Sequence, residues 1–288
     1  MTPPGARELK WEVHGLNLAG LAWGSSEKPP LLALHGWLDN AASFALLAPH
    51  LAEQFYVVAL DLTGHGRSDC RSEDATYQVY DDLPQILGVV EQLGWQRFEL
   101  LGHSRGAIIS ALFAASFPEY INHLVLLDGV APPPLEEREF PAQMRNYVLE
   151  KKRLLRRRSK VYPDLETAVC LREEQGLNRR AAELIVQRNL RSCEGGYSWT
   201  TDPRLRGASA MKLTRGQIDA VLTALAMPSL LLVAGQGLAA ANPHKFSALA
   251  GVIPEVQLET VPGNHHFHME DGVATLGERI QRFLLDRG

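Results

Sequence analysis

The sequence predicts an α/β protein in which helices cover both faces of a mostly parallel sheet. Two observations predict this fold class. Short apolar segments, suited to buried strands, alternate along the chain with segments of helical spacing. A Gly-x-Ser-x-Gly pentapeptide, Gly102-His103-Ser104-Arg105-Gly106, joins one such strand directly to a helix. The 288 residues, 45% of them hydrophobic, suit one α/β domain with an insertion, or two small domains.

The elements follow from local pattern, taken in order. Lys10–His14 and Asn17–Trp23 alternate or run apolar and predict an opening hairpin. Six further strands are predicted at Leu31–Leu34, Phe55–Leu60, Phe98–Leu101, Ile121–Leu127, Ser229–Ala234 and Glu255–Val261. Helices are predicted near Ser43–Ala52, over Tyr77–Leu93, directly after Ser104, and over Leu213–Leu225, Pro243–Leu249 and Val273–Leu285.

The segment from Pro132 to Ala210 differs from the rest of the chain in charge. It holds 16 Lys and Arg against 11 Asp and Glu, a net charge of +5, which leaves −9 for the remainder of a chain of net charge −4. A proline triplet opens it and a Gly/Ser-rich stretch closes it. We therefore predict a core of residues 1–131 and 211–288, interrupted by an inserted segment of residues 132–210.

The inserted segment contains the run Lys151–Lys160, the strongest charge cluster in the sequence. Such runs attract nucleic-acid phosphates, steer anionic substrates or form a solvated helix face. The overall acidic balance and the lack of a nucleic-acid-binding motif favour the solvated face. We expect no nucleic-acid partner.

Composition also bears on compartment. Residues 1–7 show no basic flank before an apolar core, which predicts no secretory signal, and the apolar stretch Leu230–Leu238 is too short to span a bilayer. Cys70, Cys170 and Cys193 are scattered, without metal-binding spacing, and are interpreted as reduced thiols. We expect a cytoplasmic protein without a membrane partner, and the sequence leaves its oligomeric state open.

Ser104 is the candidate nucleophile. The apolar strand before the pentapeptide and the Ala- and Ile-rich helix after it form the context of a nucleophile elbow, which holds the serine in a strained conformation at the tip of a tight turn. Gly102 and Gly106 fit because a Cβ at either position would clash with the neighbouring chain. A glycine turn with an incidental serine is the alternative, which the flanking elements disfavour.

A histidine near the end of the chain is the candidate base, because a serine hydroxyl is almost wholly protonated at neutral pH. The segment Val261–His268 follows the last strand, so its histidines lie at the same sheet edge as the elbow. We assign His265; His266 is the alternative, and His268 lies in the helical start beyond. Three histidines in four positions also suggest a metal, but no second cluster supplies further ligands, so we expect none.

The acid that orients the base is predicted at Asp128. In this architecture the chain order is Ser, acid, His, and the acid commonly follows the strand Ser229–Ala234. Here that loop, Gly235–Asn242, has no carboxylate. Asp128 ends the preceding strand of the sequence at the same edge and keeps the order. A structural aspartate that binds backbone amides is the alternative.

Two backbone N–H groups are candidates for stabilising an oxyanion at Ser104. One belongs to Arg105, directly after the serine. The other is that of Trp37, in the turn His35-Gly36-Trp37, unless that tryptophan only walls the pocket. The glycine-rich loop Asp61–Asp69 lacks the lysine and glycine spacing of phosphate-binding loops and is interpreted as a structural turn.

These motifs together resemble those of the α/β-hydrolases, over almost the whole chain. The resemblance is carried by His35-Gly36-Trp37, by Gly-His-Gly-Arg-Ser within Asp61–Asp69, by the pentapeptide around Ser104 and by the late Gly-Asn-His. Within that superfamily, His-Gly-Trp-Leu-Asp, Leu-Leu-Asp-Gly and Gly-Asn-His-His-Phe-His-Met resemble the serine hydrolase-like group. The resemblance implies the α/β-hydrolase fold with an eight-stranded sheet, a helical cap over residues 132–210, a nucleophile at Ser104, a base at His265, and no cofactor.

Three functions fit these residues. The first is a serine hydrolase that cleaves a small-molecule carboxylic ester, thioester or lactone through an acyl-enzyme. The second uses the same residues to hydrolyse a carbon–carbon bond. The third is a ligand-binding protein or degenerate hydrolase, because the acid is missing from its usual loop. Haloalkane dehalogenase and epoxide hydrolase chemistry is disfavoured, since those relatives have a carboxylate where this chain has Ser104.

Overall fold

The computed structural model describes residues 2–157, 160–238, 240 and 243–286. Eleven strands lie within these residues: β1 (Arg7–Val13), β2 (Leu16–Trp23), β3 (Pro30–Leu34), β4 (Tyr56–Leu60), β5 (Phe98–His103), β6 (Ile121–Leu127), β7 (Val161–Tyr162), β8 (Leu190–Cys193), β9 (Gly196–Trp199), β10 (Ser229–Gln236) and β11 (Val256–Asn264). The α-helices there are α1 (Ala48–Leu51), α2 (Leu83–Gln92), α3 (Arg105–Ser116), α4 (Phe140–Leu155), α5 (Leu165–Glu173), α6 (Arg179–Asn189), α7 (Arg215–Thr223), α8 (Pro243–Ala250) and α9 (Val273–Leu285).

Eight strands form one sheet in the order β1-β2-β4-β3-β5-β6-β10-β11. The β1–β2 hairpin and the β2–β4 pair are antiparallel, and all other neighbours are parallel. The predicted fold class, a mostly parallel eight-stranded sheet between helices, is therefore confirmed. Because parallel strands point the same way, the residues that follow β3, β5, β6, β10 and β11 meet at one edge.

Both faces of the sheet are buried, which explains the nearly continuous apolar sequence of its central strands. Side chains alternate between faces: Leu32 and Leu34 of β3 belong to the core beneath α2 and α3, whereas Leu31 and Ala33 belong to the core beneath α9. Every residue of β5 is buried. This packing holds β5 in the middle of the sheet and fixes the position of the residue that follows it.

Two predicted helices have different bounds in the structure. The helix predicted over Tyr77–Leu93 begins only at Leu83, since Asp81 accepts hydrogen bonds from Thr76 Oγ1 (2.6 Å) and the Gln78 backbone N–H (2.7 Å) and holds the preceding residues in turns. The helix predicted near Ser43–Ala52 is split into a 3-10 helix, Ala41–Phe44, and the short α1.

The inserted segment, residues 132–210, contains a small sheet as well as helices. Its helices α4, α5 and α6 accompany an antiparallel three-stranded sheet in the order β7-β9-β8, which the sequence analysis did not predict. The β8–β9 hairpin turns at Glu194 and Gly195; Gly195 and the first residue of β9, Gly196, have φ values of 82° and 138°, which residues with a Cβ rarely adopt.

Helix α6 anchors the inserted segment to the core. Buried Arg188 donates from Nε to both carboxylate oxygens of Asp61 at 3.0 and 2.9 Å, and Asn40 donates from Nδ2 to the Ile185 carbonyl at 2.9 Å. Of the basic run, Arg158 and Ser159 lie outside the described residues; Lys152, Arg153 and Arg156 are exposed, the solvated face that was predicted. None of the helices that the structure describes is long and apolar enough to cross a bilayer.

Candidate active site

Ser104 occupies the tight turn between β5 and α3. Its backbone has φ 52° and ψ −114°, a conformation that is strained for a residue with a side chain. The turn is packed too closely for larger residues at its glycines: a Cβ on Gly102 would overlap the Gly106 carbonyl, and one on Gly106 would overlap the Leu34 carbonyl. The predicted strand–turn–helix geometry is present, and its packing explains both glycines.

His265 lies between Ser104 and Asp128. Its Nε2 is 2.9 Å from the Ser104 Oγ, and its Nδ1 is 2.6 Å from Asp128 Oδ2. With Asp128 ionised, Nδ1 carries the proton and donates it to the carboxylate. The lone pair of Nε2 then faces the serine hydroxyl as an acceptor, which is the tautomer that a general base requires.

Asp128 directly follows β6 and is fully buried, at φ 44°. Its Oδ1 accepts from the Ala234 N–H at 3.0 Å, and its Oδ2 accepts from the Leu238 N–H at 2.9 Å as well as from His265. A Cβ on Gly237 would overlap this carboxylate. The end of β10 and the loop after it therefore supply amides and open space for an acid that comes from the neighbouring strand. Asn242 of that loop lies outside the described residues.

The other histidines of the last loop have different partners. His266 Nε2 lies 3.2 Å from Asp39 Oδ2, and His268 Nε2 lies 2.8 Å from Ser43 Oγ. His268 belongs to a 3-10 helix, Phe267–Met269, the helical start that was expected. Of the three, only His265 contacts Ser104, so the structure brings together the preferred candidate and not His266.

His103, the residue before the serine, is buried beneath this loop. It donates from Nε2 to the backbone carbonyl of His265 at 2.8 Å. Burial is the main reason why the pKa of His103 lies well below its usual value, and nearby His268, His266 and His265 lower it further. Burial likewise lowers the pKa of His268 to about 3. Both rings are therefore neutral at physiological pH and do not add positive charge beside His265.

Asp39, His103 and His266 place ligand-type atoms within 4.8 Å of one another. The carboxylate of Asp39 is already engaged: Oδ1 accepts from Arg172 Nη2 at 2.5 Å, and Oδ2 is bonded to His266. Its pKa lies well below the usual value, since attraction to His266 and Arg172 outweighs its burial. Through His266 and Arg172, the Asp39 carboxylate therefore links the loop after β3 to the last loop and to the inserted segment.

The turn after β3 is fixed by two buried neutral histidines. His35 donates from Nδ1 to the Gly36 carbonyl (2.7 Å) and accepts from the Leu62 N–H (3.1 Å), while His65 accepts from the Leu38 N–H (3.3 Å). Burial lowers the pKa of both rings. The neighbouring N–H of Trp37 has no hydrogen-bond partner among the described residues.

The second predicted donor, the N–H of Arg105, is the first of α3 and likewise has no partner in the described part of the chain. The side chain of Trp37 is half exposed and donates from Nε1 to the Leu205 carbonyl of the inserted segment at 2.8 Å. The Trp37 side chain therefore walls the site, and its backbone amide is open to an acceptor.

The glycine-rich loop Asp61–Asp69 is held in place by hydrogen bonds to the carboxylate of Asp61. Asp61 is fully buried and accepts from the Ala41 and Arg67 N–H groups at 2.7 and 2.8 Å, in addition to Arg188. A Cβ on Gly66 would overlap its carboxylate. These contacts fit the structural turn predicted from the sequence.

A cavity of about 280 Å³ opens over Ser104 and His265. Leu38, Arg172, Gln175 and Arg206 also line it, and these four residues line an adjoining cavity of about 290 Å³ within the inserted segment. The sequence analysis missed Asp39, Arg172 and Arg206. Asp39 lies in the quoted His-Gly-Trp-Leu-Asp motif, but nothing in the sequence indicated that the two arginines fold back over it.

Most of the chain is similar in sequence to known proteins. A family model described as alpha/beta hydrolase fold matches residues 29–273, which include Ser104, Asp128 and His265. Human serine hydrolase-like protein 2 is 33% identical in an alignment 286 residues long. The alignment covers 92% of this chain and 90% of that protein.

Solved structures show the same similarity. A hypothetical protein from Pseudomonas aeruginosa PAO1 is 39% identical, with a TM-score of 0.91 over 97% of this chain and 99% of the other. The thioesterase domain from the curacin biosynthetic pathway is 25% identical, with a TM-score of 0.87 over 96% and 99% of the two chains.

Proposed function

The chain belongs to the α/β-hydrolase fold family, and we propose that it is a serine hydrolase that cleaves a small-molecule carboxylic ester, thioester or lactone. One observation carries the proposal: Ser104 Oγ, His265 and Asp128 form a continuous hydrogen-bonded chain, at 2.9 and 2.6 Å. The three exposed, free cysteines fit the further proposal that the protein is cytoplasmic, because that compartment keeps thiols reduced.

In the acylation step, Ser104 Oγ attacks the carbonyl carbon of the substrate while its proton passes to His265 Nε2. Asp128 remains ionised and stabilises the imidazolium through Nδ1–H. The N–H groups of Trp37 and Arg105 donate to the oxyanion, a role for which donors without an internal partner are suited. The tetrahedral intermediate then collapses and the C–O or C–S bond breaks.

His265 Nε2–H returns its proton to the leaving alcohol or thiol, which leaves an acyl-enzyme on Ser104. Water then attacks the acyl carbon, with His265 as base, and releases the acid and the free serine. The buried, neutral His103 supports this cycle through the backbone of His265 without competing for the proton.

The alternatives use the same residues. Hydrolysis of a carbon–carbon bond needs the same serine and base and is distinguished by substrate. A ligand-binding or degenerate protein was suggested by the loop without an acid, and the contact of Asp128 with His265 supports the hydrolase over this alternative. Epoxide hydrolase chemistry stays disfavoured because the elbow carries Ser104.

The test is covalent labelling by a fluorophosphonate together with turnover of 4-nitrophenyl acetate and butanoate. We expect the peptide that contains Ser104 to gain the phosphonyl mass and Ser104→Ala to lose label. Its turnover should fall on the order of a thousandfold or more, as after removal of other catalytic serines. Undiminished turnover in Ser104→Ala would contradict the proposal, and a wild-type protein without label or turnover would favour the ligand-binding alternative.

A further inference from the structure

The adjoining cavity of about 290 Å³, named here the basic cavity, is lined by four cations from the inserted segment: Arg157, Lys160, Arg172 and Arg206. They come from the end of α4, the start of β7, helix α5 and the 3-10 helix Pro203–Arg206. No aspartate or glutamate lines this cavity within the described part of the chain. Asp39, in the neighbouring cavity over Ser104, balances only Arg172.

Three of the four cations that line the basic cavity have no hydrogen-bond or ion-pair partner among the described residues. The side chains of Arg157, Lys160 and Arg206 make no hydrogen bond or ion pair with any described residue; Lys160 only lies over the Tyr162 ring, 5.0 Å from its centroid. Partial burial lowers the pKa of Arg206, and repulsion from Arg157 and Arg172 lowers it further. All three residues are exposed, so water solvates their charges in the free protein, and they line one cavity without a counter-charge from the described residues.

Two buried polar atoms at this cavity also lack partners among the described residues: Arg172 Nε and Thr201 Oγ1. Arg172 is only 7% exposed, so its unused N–H is withheld from bulk water. A buried donor without an acceptor costs free energy, so a rotation of the Arg172 side chain that brings Nε to a ligand oxygen would be favourable.

Another cavity, which shares Trp37 with the cavity over Ser104, provides an internal comparison. It is lined by Arg105, Lys151 and Arg204, but each of these binds protein oxygens: the Tyr77 carbonyl, the Asp74 carbonyl and the Asp202 carboxylate respectively. The cations of that cavity are therefore paired within the protein. The cavity that shares Leu38, Arg172, Gln175 and Arg206 with the one over Ser104 instead brings together three cations without such partners among the described residues.

We propose that the basic cavity binds an anionic group, a carboxylate or phosphate, on the substrate whose scissile carbonyl lies at Ser104. This inference rests on the proposed function and narrows its substrate class. Arginine side chains recognise both groups through paired N–H donors. The edge-to-face pair Tyr162–Trp199, 5.9 Å between centroids, supplies an apolar wall for the carbon chain that carries the charge.

Two matched substrate pairs test the inference. They also distinguish a carboxylate on the acyl chain from a phosphate on the leaving group. In one pair, 4-nitrophenyl hexanoate and mono-4-nitrophenyl adipate differ only in a terminal methyl or carboxylate on the acyl chain. In the other, butanoyl-pantetheine and butanoyl-4′-phosphopantetheine differ only in a phosphate on the leaving group. We expect kcat/KM to be about tenfold or more higher for the anionic member of one pair, since charge-assisted hydrogen bonds are strong.

The variant is Arg206→Gln, and the matched control is Arg156→Gln. Arg156 carries the same charge beside Arg157 and is exposed like Arg206, but it lines neither cavity. We expect Arg206→Gln to reduce the anionic preference about tenfold, mainly through KM, and Arg156→Gln to leave both members of each pair unchanged. Raising salt from about 0.05 to about 0.5 M should lower the preference in the wild type.

Each outcome decides between the two proposals. Hydrolysis of neutral members without a preference in either pair, or a preference that survives Arg206→Gln, overturns the inference and leaves the proposed function standing. If no ester is hydrolysed, the proposed function fails, and titration calorimetry with adipate and with 4′-phosphopantetheine judges the inference alone. Binding to the wild type that is weakened about tenfold in Arg206→Gln then supports it, and absence of binding overturns it.

Discussion

His103 holds the backbone of His265: its Nε2–H donates to the His265 carbonyl oxygen at 2.8 Å. The residue that precedes Ser104 in sequence therefore positions the residue that contacts Ser104 in space, across 162 positions of the chain. Burial keeps the His103 ring neutral, so its contribution is geometric rather than electrostatic. The side chain of His103 couples the elbow to the last loop of the fold.

Replacement of His103 should impair turnover more than it impairs folding. We expect His103→Leu to lower kcat about tenfold, because the loss of one hydrogen bond loosens the His265 loop. His103→Gln, whose amide can replace the Nε2 donor, should retain more activity. Equal losses in the two variants would contradict a positioning role, and thermal unfolding of both proteins checks that the fold is intact.

The sequence predicts most of this architecture because its strongest signals are local. The continuous apolar run of β3 and the glycines around Ser104 indicate burial and close packing directly, and the structure shows both. The late start of α2 was missed because it depends on side-chain bonds of Asp81 that compete with the helix. Helical spacing alone does not register such competition.

The inserted segment was harder to predict, for a physical reason. Strands β7, β8 and β9 have only two to four residues each, too few to show an alternating pattern. Arg172 and Arg206 reach the site only because their elements fold over Asp39 and Leu38. Contacts of this kind depend on the tertiary arrangement. For the same reason, the sequence shows that the run Lys151–Lys160 is charged but not that Arg157 and Lys160 line a cavity.

The two adjacent histidines of the last loop should differ sharply in effect. We expect His265→Ala to remove nearly as much activity as Ser104→Ala, and the double variant to be little worse than either, because residues of one catalytic unit are not additive. His266→Ala should be milder, since its ring contacts Asp39 rather than the serine. Steady-state turnover of 4-nitrophenyl butanoate measures all four proteins, and the reverse order of the histidine variants would show the base to be His266.

Buried His268 predicts how stability depends on pH. Its folded-state pKa is lowered to about 3, so between that value and about 6.5 the unfolded chain binds the proton and the folded chain does not. The contribution of His268 to stability is therefore complete above about pH 6.5 and is lost as the pH falls. Between about pH 7.5 and about pH 5.5 it should decrease the free energy of unfolding by about 1 kcal/mol.

His268→Gln tests this effect, because an amide can still reach Ser43 but does not titrate. Urea unfolding at both pH values should show an acid-induced loss that is about 1 kcal/mol smaller in the variant than in the wild type. His35 and His65, whose pKa values are also lowered, remain in both proteins and cancel in the comparison. His103 also remains, and its pKa stays lowered in the variant mainly because the ring is buried. An identical pH dependence would refute the assignment to His268.

Close packing around Asp128 predicts that a substitution at Gly237, which has no reactive side chain, affects turnover. Gly237 leaves space for the Asp128 carboxylate, so Gly237→Ala should displace it and lower kcat by more than about tenfold. Gly235→Ala is the matched control, since a Cβ there meets only the Val261 carbonyl, at 3.4 Å. Equal activity in the two variants would show that the position of Asp128 does not limit turnover.

Asp128 itself provides the most demanding test, because the sequence places it outside the loop where such an acid is usually found. Asp128→Asn keeps the size of the side chain and an oxygen for the Ala234 or Leu238 amide, so the fold should persist by circular dichroism. An amide beside Nδ1 has no charge to stabilise an imidazolium and favours the wrong tautomer of His265. We therefore expect kcat to fall on the order of a thousandfold.

The mechanism further requires that this loss act through His265. Once His265 is alanine, Asp128 has no ring to orient, so Asp128→Asn should cost no further activity in the His265→Ala background. A purely structural aspartate, bound only to the amides of Ala234 and Leu238, would instead lower activity and stability together in both backgrounds. Full turnover in Asp128→Asn, in a protein where Ser104→Ala is inactive, would exclude Asp128 as the acid.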